Sequence, residues 1–312
     1  MDSASARSAP AMPDAVLERL SGKRFDGRNL LFESLLLAAL FIALLFLMVL
    51  LAQIFSTGIS VFRERGMDFV TSTLSSSAER AGVWQGITGS LFMMIFVVAL
   101  AFPLGVGTAI YLEEYASDSR LSRFINVNIR NLAGVPSIVY GLLGFAIFVQ
   151  AIGAFTGGST IMSGGLTLAI LVLPIVIIAA AEAIRAVPDS IREAGYGVGA
   201  TKWEVVRSLV LPSAAPGILT GTVLALSRAL GESAPLLLVG AITGFLATGD
   251  QSFVETLRGP FTALPIIIFS WARQADVSFE QLTAAAIIVL LLVILLANGA
   301  AILLRNRYDR KW

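Results

Sequence analysis

Apolar runs at residues 32–55, 87–112, 132–152, 166–184, 216–242 and 283–304 divide the 312-residue chain, with short polar segments between them. Each run is close to the roughly 20 residues a helix needs to cross the hydrocarbon layer. Only a helix or a closed barrel satisfies every backbone donor and acceptor in lipid, and runs of this length are helical. The pattern therefore predicts an all-α, polytopic membrane protein with six transmembrane helices. An N-terminal segment occupies residues 1–31, a six-helix transmembrane domain occupies 32–312, and a polar loop at 185–215 joins the fourth and fifth spans. The first run exceeds a signal-peptide core and no cleavage site follows it, so it reads as a retained span.

Prolines punctuate the middle of this pattern. Pro103, Pro136, Pro174 and Pro235 lie in or at the start of spans two to five, whereas spans one and six contain none. Each removes a backbone donor and tends to kink its helix, which predicts a bent central bundle around a pathway. Gly141 and Gly144, and Gly217 and Gly221, would allow close helix approach, either within the chain or against a second subunit.

Charge orients the spans. Of the 22 Lys and Arg residues, 16 lie before the first span, in 113–131, in 185–215 and after the last span; 5 lie in the alternate segments and one, Arg228, within the fifth run. The positive-inside rule then puts both termini, residues 1–31 and the 185–215 loop in the cytoplasm. Composition also removes several functions. With no Cys and no His, the chain lacks a disulfide, a thiolate and the usual general base and metal ligand, so no catalytic residue or metal site is assigned. The net charge of +1, with scattered basic residues, excludes a nucleic-acid stripe. No Gly-rich phosphate loop ending in Gly-Lys-Ser/Thr occurs, so energy must come from a partner or a gradient.

Two charged positions stand out inside a span. Arg228 and Glu232 lie near the middle of the fifth run, four apart and on one helical face. An Arg at a helix centre costs about 2.5–3.5 kcal/mol on insertion scales, so it should face protein or water. The pair is either a structural ion pair or an anion-guiding Arg, whose planar fork suits an oxyanion, held by Glu232. Glu182 and Arg185 read as a helix-end pair, and Glu113 and Glu114 as a solvated turn. Trp271, Trp312 and Tyr111 suit the membrane interface.

The 193–212 segment, EAGYGVGATKWEVVRSLVLP, carries the sharpest motif. Glu193-Ala194-Gly195, three residues, Gly199, nine residues and Leu209-Val210-Leu211-Pro212 resemble the cytoplasmic EAA signature of bacterial ABC importer permeases. Gly195 stands where that pattern has a third Ala, and Leu209 where it has Ile. Two short helices broken at Gly199 are expected. The segments 132–141, 165–168, 229–235, 263–266 and 304–308 resemble more narrowly the PstA family, one of the two permease types of phosphate-specific ABC importers.

The resemblance implies a type I ABC importer permease with no cofactor of its own, ATP and Mg being bound by a partner ATPase. Glu193, Ala194 and Gly195 would face a groove on that ATPase, Gly199 would make the turn, and Leu211-Pro212 would redirect the chain into the fifth span. The implied partners are a second permease subunit of the sister type, two ATPase subunits, an extracytoplasmic phosphate-binding protein, phosphate and the lipid of the bacterial cytoplasmic membrane. The sister permease of the same system, or a sulfate or molybdate permease, is the near alternative. A gradient-driven transporter is the distant one, and it would have no use for the 193–212 loop.

Overall fold

The computed structural model describes residues 27–242 and 257–308. Most of the 1–31 segment, residues 243–256 of the loop before the last span, and Trp312 lie outside the described residues. Two compact units divide at Gln53/Ile54. The described part of the first is the leading portion of α1 (Gly27–Arg65), a continuous helix exposed at every position from Arg28 to Leu50. From Leu35 to Leu50 this surface is apolar all round, which suits lipid.

The second unit contains the end of α1 and then α2 (Asp68–Thr71), α3 (Trp84–Tyr115), α4 (Arg120–Ala133), α5 (Ser137–Ala151), α6 (Gly153–Thr156) and α7 (Ile161–Arg185). It continues through α8 (Asp189–Gly197), α9 (Lys202–Gly231), α10 (Ala234–Val239), α11 (Leu264–Trp271) and α12 (Ser278–Tyr308). Among the described residues no strand occurs, and five helices are long and apolar enough to cross a membrane. They become six when the bent pair α4–α5 counts as one crossing.

α7 is the central post. In its most apolar stretch 67% of the residues are buried, against 28% or less in the other long helices. Glycines bring three neighbours close to it: Gly105 of α3 lies against Val176, Gly144 of α5 against Thr167, and Gly217 and Gly221 of α9 against Ala183 and Ala179. The small-residue pairs thus serve contacts within the chain. Without a hydrophobic driving force in lipid, such close backbone approach supplies dispersion contact that a side chain would block.

Three apolar clusters follow one another along the bundle, the second and third of them containing residues of α7. One joins Val61, Phe69, Trp271 and Phe279 at the end away from the 185–215 loop. The middle cluster holds Met93, Leu168, Val172 and Leu236. The third, at the loop end, gathers Ala109, Ile184, Val205, Val210 and Ile218.

Two expected spans are not straight. The run at 132–152 is the second arm of a helix pair that turns through 101° at Gly134–Pro136. Pro136 precedes the first residue of α5, and the Tyr140 hydroxyl donates to the Leu132 carbonyl at 2.9 Å, closing the corner. The run at 216–242 is also broken: α9 stops at Gly231, Glu232 is extended, and α10 begins at Ala234 with Pro235 in its first turn. Proline cannot continue the donor ladder, so the chain restarts there. Pro103 and Pro212 behave differently, because π turns at Val97–Ala101 and Val206–Val210 immediately precede their segments and the helices continue.

A Cβ at Gly221 would overlap Ala179, whereas one at Gly107 meets nothing within 4 Å. Gly221→Val should therefore lower the thermal unfolding midpoint of the detergent-solubilised protein, at a cost of about 1–3 kcal/mol for overpacking. Gly107→Ala should leave it unchanged or slightly raised. Equal midpoints for Gly221→Val and the parent would contradict this packing.

Candidate functional site

The polar loop folds as a closed hairpin. Pro188 precedes α8, whose first residue, Asp189, favours the positive helix start. The helix ends at Gly197, and Gly199 takes φ +82, a left-handed conformation that glycine adopts without penalty. The Gly199 amide donates to Tyr196 at 2.9 Å and that of Ala200 to Gly195 at 3.2 Å, which turns the chain back. Thr201 then caps α9. Its side chain accepts from the Glu204 amide, while its own amide donates to the Glu204 carboxylate at 2.7 Å. This reciprocal capping box was readable in the Thr-x-x-Glu spacing.

Only one of the two expected short helices is separate. The second is the beginning of α9, which runs unbroken through Leu211 and Pro212. Pro212 therefore does not break the helix, because the preceding π turn removes the conflict that its ring and missing donor would create. Leu211 is half-buried and Pro212 exposed.

Within α8 the three signature residues part company. Glu193 and Ala194 are exposed, as expected of a docking face. Gly195 is buried, and a Cβ there would lie 2.8 Å from Val205 and Leu209. It faces the hairpin's own second arm, which corrects the expectation that all three point outward. The outward face instead includes Tyr196, Val198 and Trp203, of which Val198 is 84% exposed.

Charge fastens the hairpin to the bundle. Arg192 donates to Glu114 through Nε and Nη2 at 3.1 and 2.9 Å, to the carbonyls of Ile184 and Val187 at 3.0 and 2.7 Å, and to Asp189 at 3.1 Å. The Arg192 and Glu114 side chains are only 17% and 5% exposed. Arg185 grips both oxygens of Glu113, and the Lys202 ammonium lies 5.1 Å from the centre of the Tyr115 ring. Glu113 and Glu114 are thus not a solvated turn, and the partner of Arg185 is Glu113 rather than Glu182. Separations of 72 and 78 residues hide these pairings from any local pattern.

Arg228 and Glu232 flank the break in α9. Arg228 is in the helix's last turn, and its Nε meets Glu232 Oε1 at 3.3 Å. Glu232 lies just past the helix end, so the pair spans a helix terminus rather than one continuous face. The antiparallel register that sets Gly217 beside Ala183 and Gly221 beside Ala179 brings Arg228 level with Val172, midway along α7. The Arg228 side chain is 47% exposed and that of Glu232 17%. A small cavity nearby, lined by Met93, Val97, Leu168, Ala229 and Leu236, carries Ser90 and no charged group, so its chemistry does not suit an anion. Among the described residues no cluster of His, Cys, Asp or Glu could hold a metal ion.

Residues 101–310 match the family described as "binding-protein-dependent transport system inner membrane component". The chain is 33% identical over 244 residues to the phosphate transport system permease protein PstA of Xylella fastidiosa, covering 78% of this chain and 82% of that one. It is 34% identical over 190 residues to the probable ABC transporter permease protein YqgI of Bacillus subtilis, covering 61% and 63%. The matched region thus spans about three fifths of the length of YqgI and of the Mycobacterium tuberculosis PstA 1 proteins, for which the share is 58–59%. By fold, the chain superposes on a chain of a bacterial alginate ABC transporter with TM-score 0.59 at 15% identity, covering 88% and 93%. A chain of the inward-facing MetNI methionine ABC transporter gives 0.53 at 18%, covering 73% and 95%.

The positive φ at Gly199 makes a direct test. Gly199→Val should strain the turn by about 1–3 kcal/mol and accelerate amide hydrogen exchange across 189–205 by roughly five- to a hundredfold. Gly199→Asn, which tolerates the left-handed region, should change it far less. Identical exchange in the Val variant and the parent would show that the turn does not depend on this conformation.

Proposed function

Since the chain belongs to the binding-protein-dependent transport system inner membrane components, we propose that it is the PstA-type permease of an ATP-driven phosphate importer. The phosphate assignment rests on the relatives named phosphate transport system permease protein PstA. The observation that carries the mechanism is the guanidinium of Arg228, held beside a helix break level with the middle of α7 and half-exposed. A cation at that depth, tethered by Glu232, offers a passing oxyanion a charge-assisted contact that ordinary span residues lack.

In this reading the outward face of the hairpin, with Glu193, Ala194, Tyr196, Val198 and Trp203, docks on a partner ATPase. Gly195 and Gly199 shape the hairpin from within, and Leu211 and Pro212 carry it into α9. A second permease subunit of the sister type completes the pathway, two ATPase subunits bind ATP and Mg, and an extracytoplasmic phosphate-binding protein meets residues 56–86 and 243–282. The chain is a multi-pass protein of the bacterial inner membrane, with both termini and the hairpin in the cytoplasm.

Single-cysteine labelling tests the orientation, since the parent has no Cys. An impermeant reagent applied from outside should modify Asp276→Cys and spare Lys202→Cys; the reverse pattern would invert the topology.

Radiolabelled phosphate uptake in cells lacking and regaining the gene tests the substrate, with sulfate and molybdate as competitors. Arg228→Gln should lower uptake roughly ten- to hundredfold, the equivalent of a charge-assisted hydrogen bond of about 1.5–3 kcal/mol, with membrane abundance maintained. Parallel loss of abundance and uptake in both Arg228→Gln and Glu232→Gln would make the pair structural and remove it from the pathway.

A further inference from the structure

Glu113, Glu114 and Tyr115, three consecutive residues at the end of α3, each engage a different cation between residues 185 and 202. Glu113 takes Arg185 at the last residue of α7, Glu114 takes Arg192 in the middle of α8, and Tyr115 takes Lys202 at the first residue of α9. The three cations therefore belong to the three helices that define the hairpin. In an α-helix three consecutive side chains fan widely around the axis. Here the three cations come from three different helices, so each meets its own member of that fan.

We infer that this triplet is a positioning clamp that passes movement of the hairpin to α3, with Glu114 as its principal residue. The inference rests on the docking of the hairpin to an ATPase. α3 is suited to transmit such movement. It is continuous from Trp84 to Tyr115, about 48 Å at 1.5 Å per residue. Near its far end the Ser90 hydroxyl accepts the backbone amide of Leu264 at 3.0 Å, the first residue of α11. Ser90 and Met93 also line the cavity shared with Ala229, in the last turn of α9 next to Arg228. One rod thus touches the docking hairpin at one end and the neighbourhood of the helix break at the other.

The members of the clamp differ in kind. Arg192–Glu114 is nearly buried, so removing either partner leaves the other charge poorly compensated. Arg185 is 56% exposed, and its pair with Glu113 is open to solvent on the arginine side. The buried tie therefore sets the position of α8, while the outer ties limit its rotation.

The test uses the complete transporter purified with its ATPase and binding protein and reconstituted in proteoliposomes, with phosphate transported per ATP hydrolysed as the readout. Glu114→Gln keeps size and removes charge. It should retain ATPase in the purified complex while lowering phosphate per ATP at least tenfold and abolishing stimulation of hydrolysis by the binding protein. Arg192→Gln should do the same, and the double variant should be no worse than either single one, as expected of a pair acting together. Glu113→Gln, at the solvent-open tie, provides a version that does not threaten folding and should lower phosphate per ATP severalfold. An unchanged ratio in Glu113→Gln and in assembled Glu114→Gln overturns the clamp. So does loss of protein with an unchanged ratio in whatever assembles, which is the outcome of a purely structural bridge. Absence of ATPase from the parent preparation overturns the docking reading itself, and the clamp with it.

Discussion

The guanidinium of Arg192 is the interaction on which the loop end of this bundle depends. A buried cation is tolerated only when its donors are matched, and here they are distributed over one carboxylate, two backbone carbonyls and a second acid. The carbonyls of Ile184 and Val187 lie where α7 gives way to α8; that of Ile184 also accepts the Val187 amide at 3.2 Å, and Arg192 donates to both at this helix terminus. A single side chain thus completes the end of α7, aims α8 and ties both to α3. The Val205, Val206 and Val210 side chains close the hairpin beneath it, so polar satisfaction and apolar burial reinforce the same geometry.

The middle of the molecule is organised by a different constraint, the close approach of helices to α7. Glycines on three neighbours replace the side-chain volume that would separate the axes. Tight packing of this kind keeps α3, α5 and α9 in defined register, and that register determines the depth of the α9 break. The break places a backbone discontinuity and a charged pair where continuous helix would present only apolar surface. In lipid such a feature would be costly, and it is sustained where protein or water satisfies the freed groups. Gly141 lies against Pro235 at the start of α10, so the α4–α5 corner supports the interrupted segment.

In the proposed function, docking and substrate passage fall to separate parts of one helical framework. The outward face of the hairpin is a mixture of Glu193, small Ala194 and exposed aromatic and apolar groups, a surface suited to burial against protein. Arg228 and Glu232 lie at the opposite end of α9, the helix that begins within the hairpin at Lys202. Movement at one end of that helix therefore has a direct structural route to the other, alongside the parallel route through α3.

The sequence by itself determined the membrane class, the all-helical fold, the number of crossings and the family, because these depend on the length of apolar runs and the order of nearby residues. It also determined the turn at Gly199 and, through Thr201 and Glu204, the start of α9, since both are local backbone chemistry. Tertiary structure alone decided that Gly195 points inward, that Pro212 leaves its helix unbroken and that the 216–242 run is interrupted before α10. Pro235 was visible in the sequence, but whether a proline bends, breaks or merely restarts a helix depends on the preceding turn and on what packs beside it. The same is true of Glu113 and Glu114: beside a span end two acids read as solvated, and only the folding of α3 against the hairpin brings their arginines, more than 70 residues away, within reach. Electrostatic partners and helix-packing contacts are set by three-dimensional proximity, which neither periodicity nor charge counting contains.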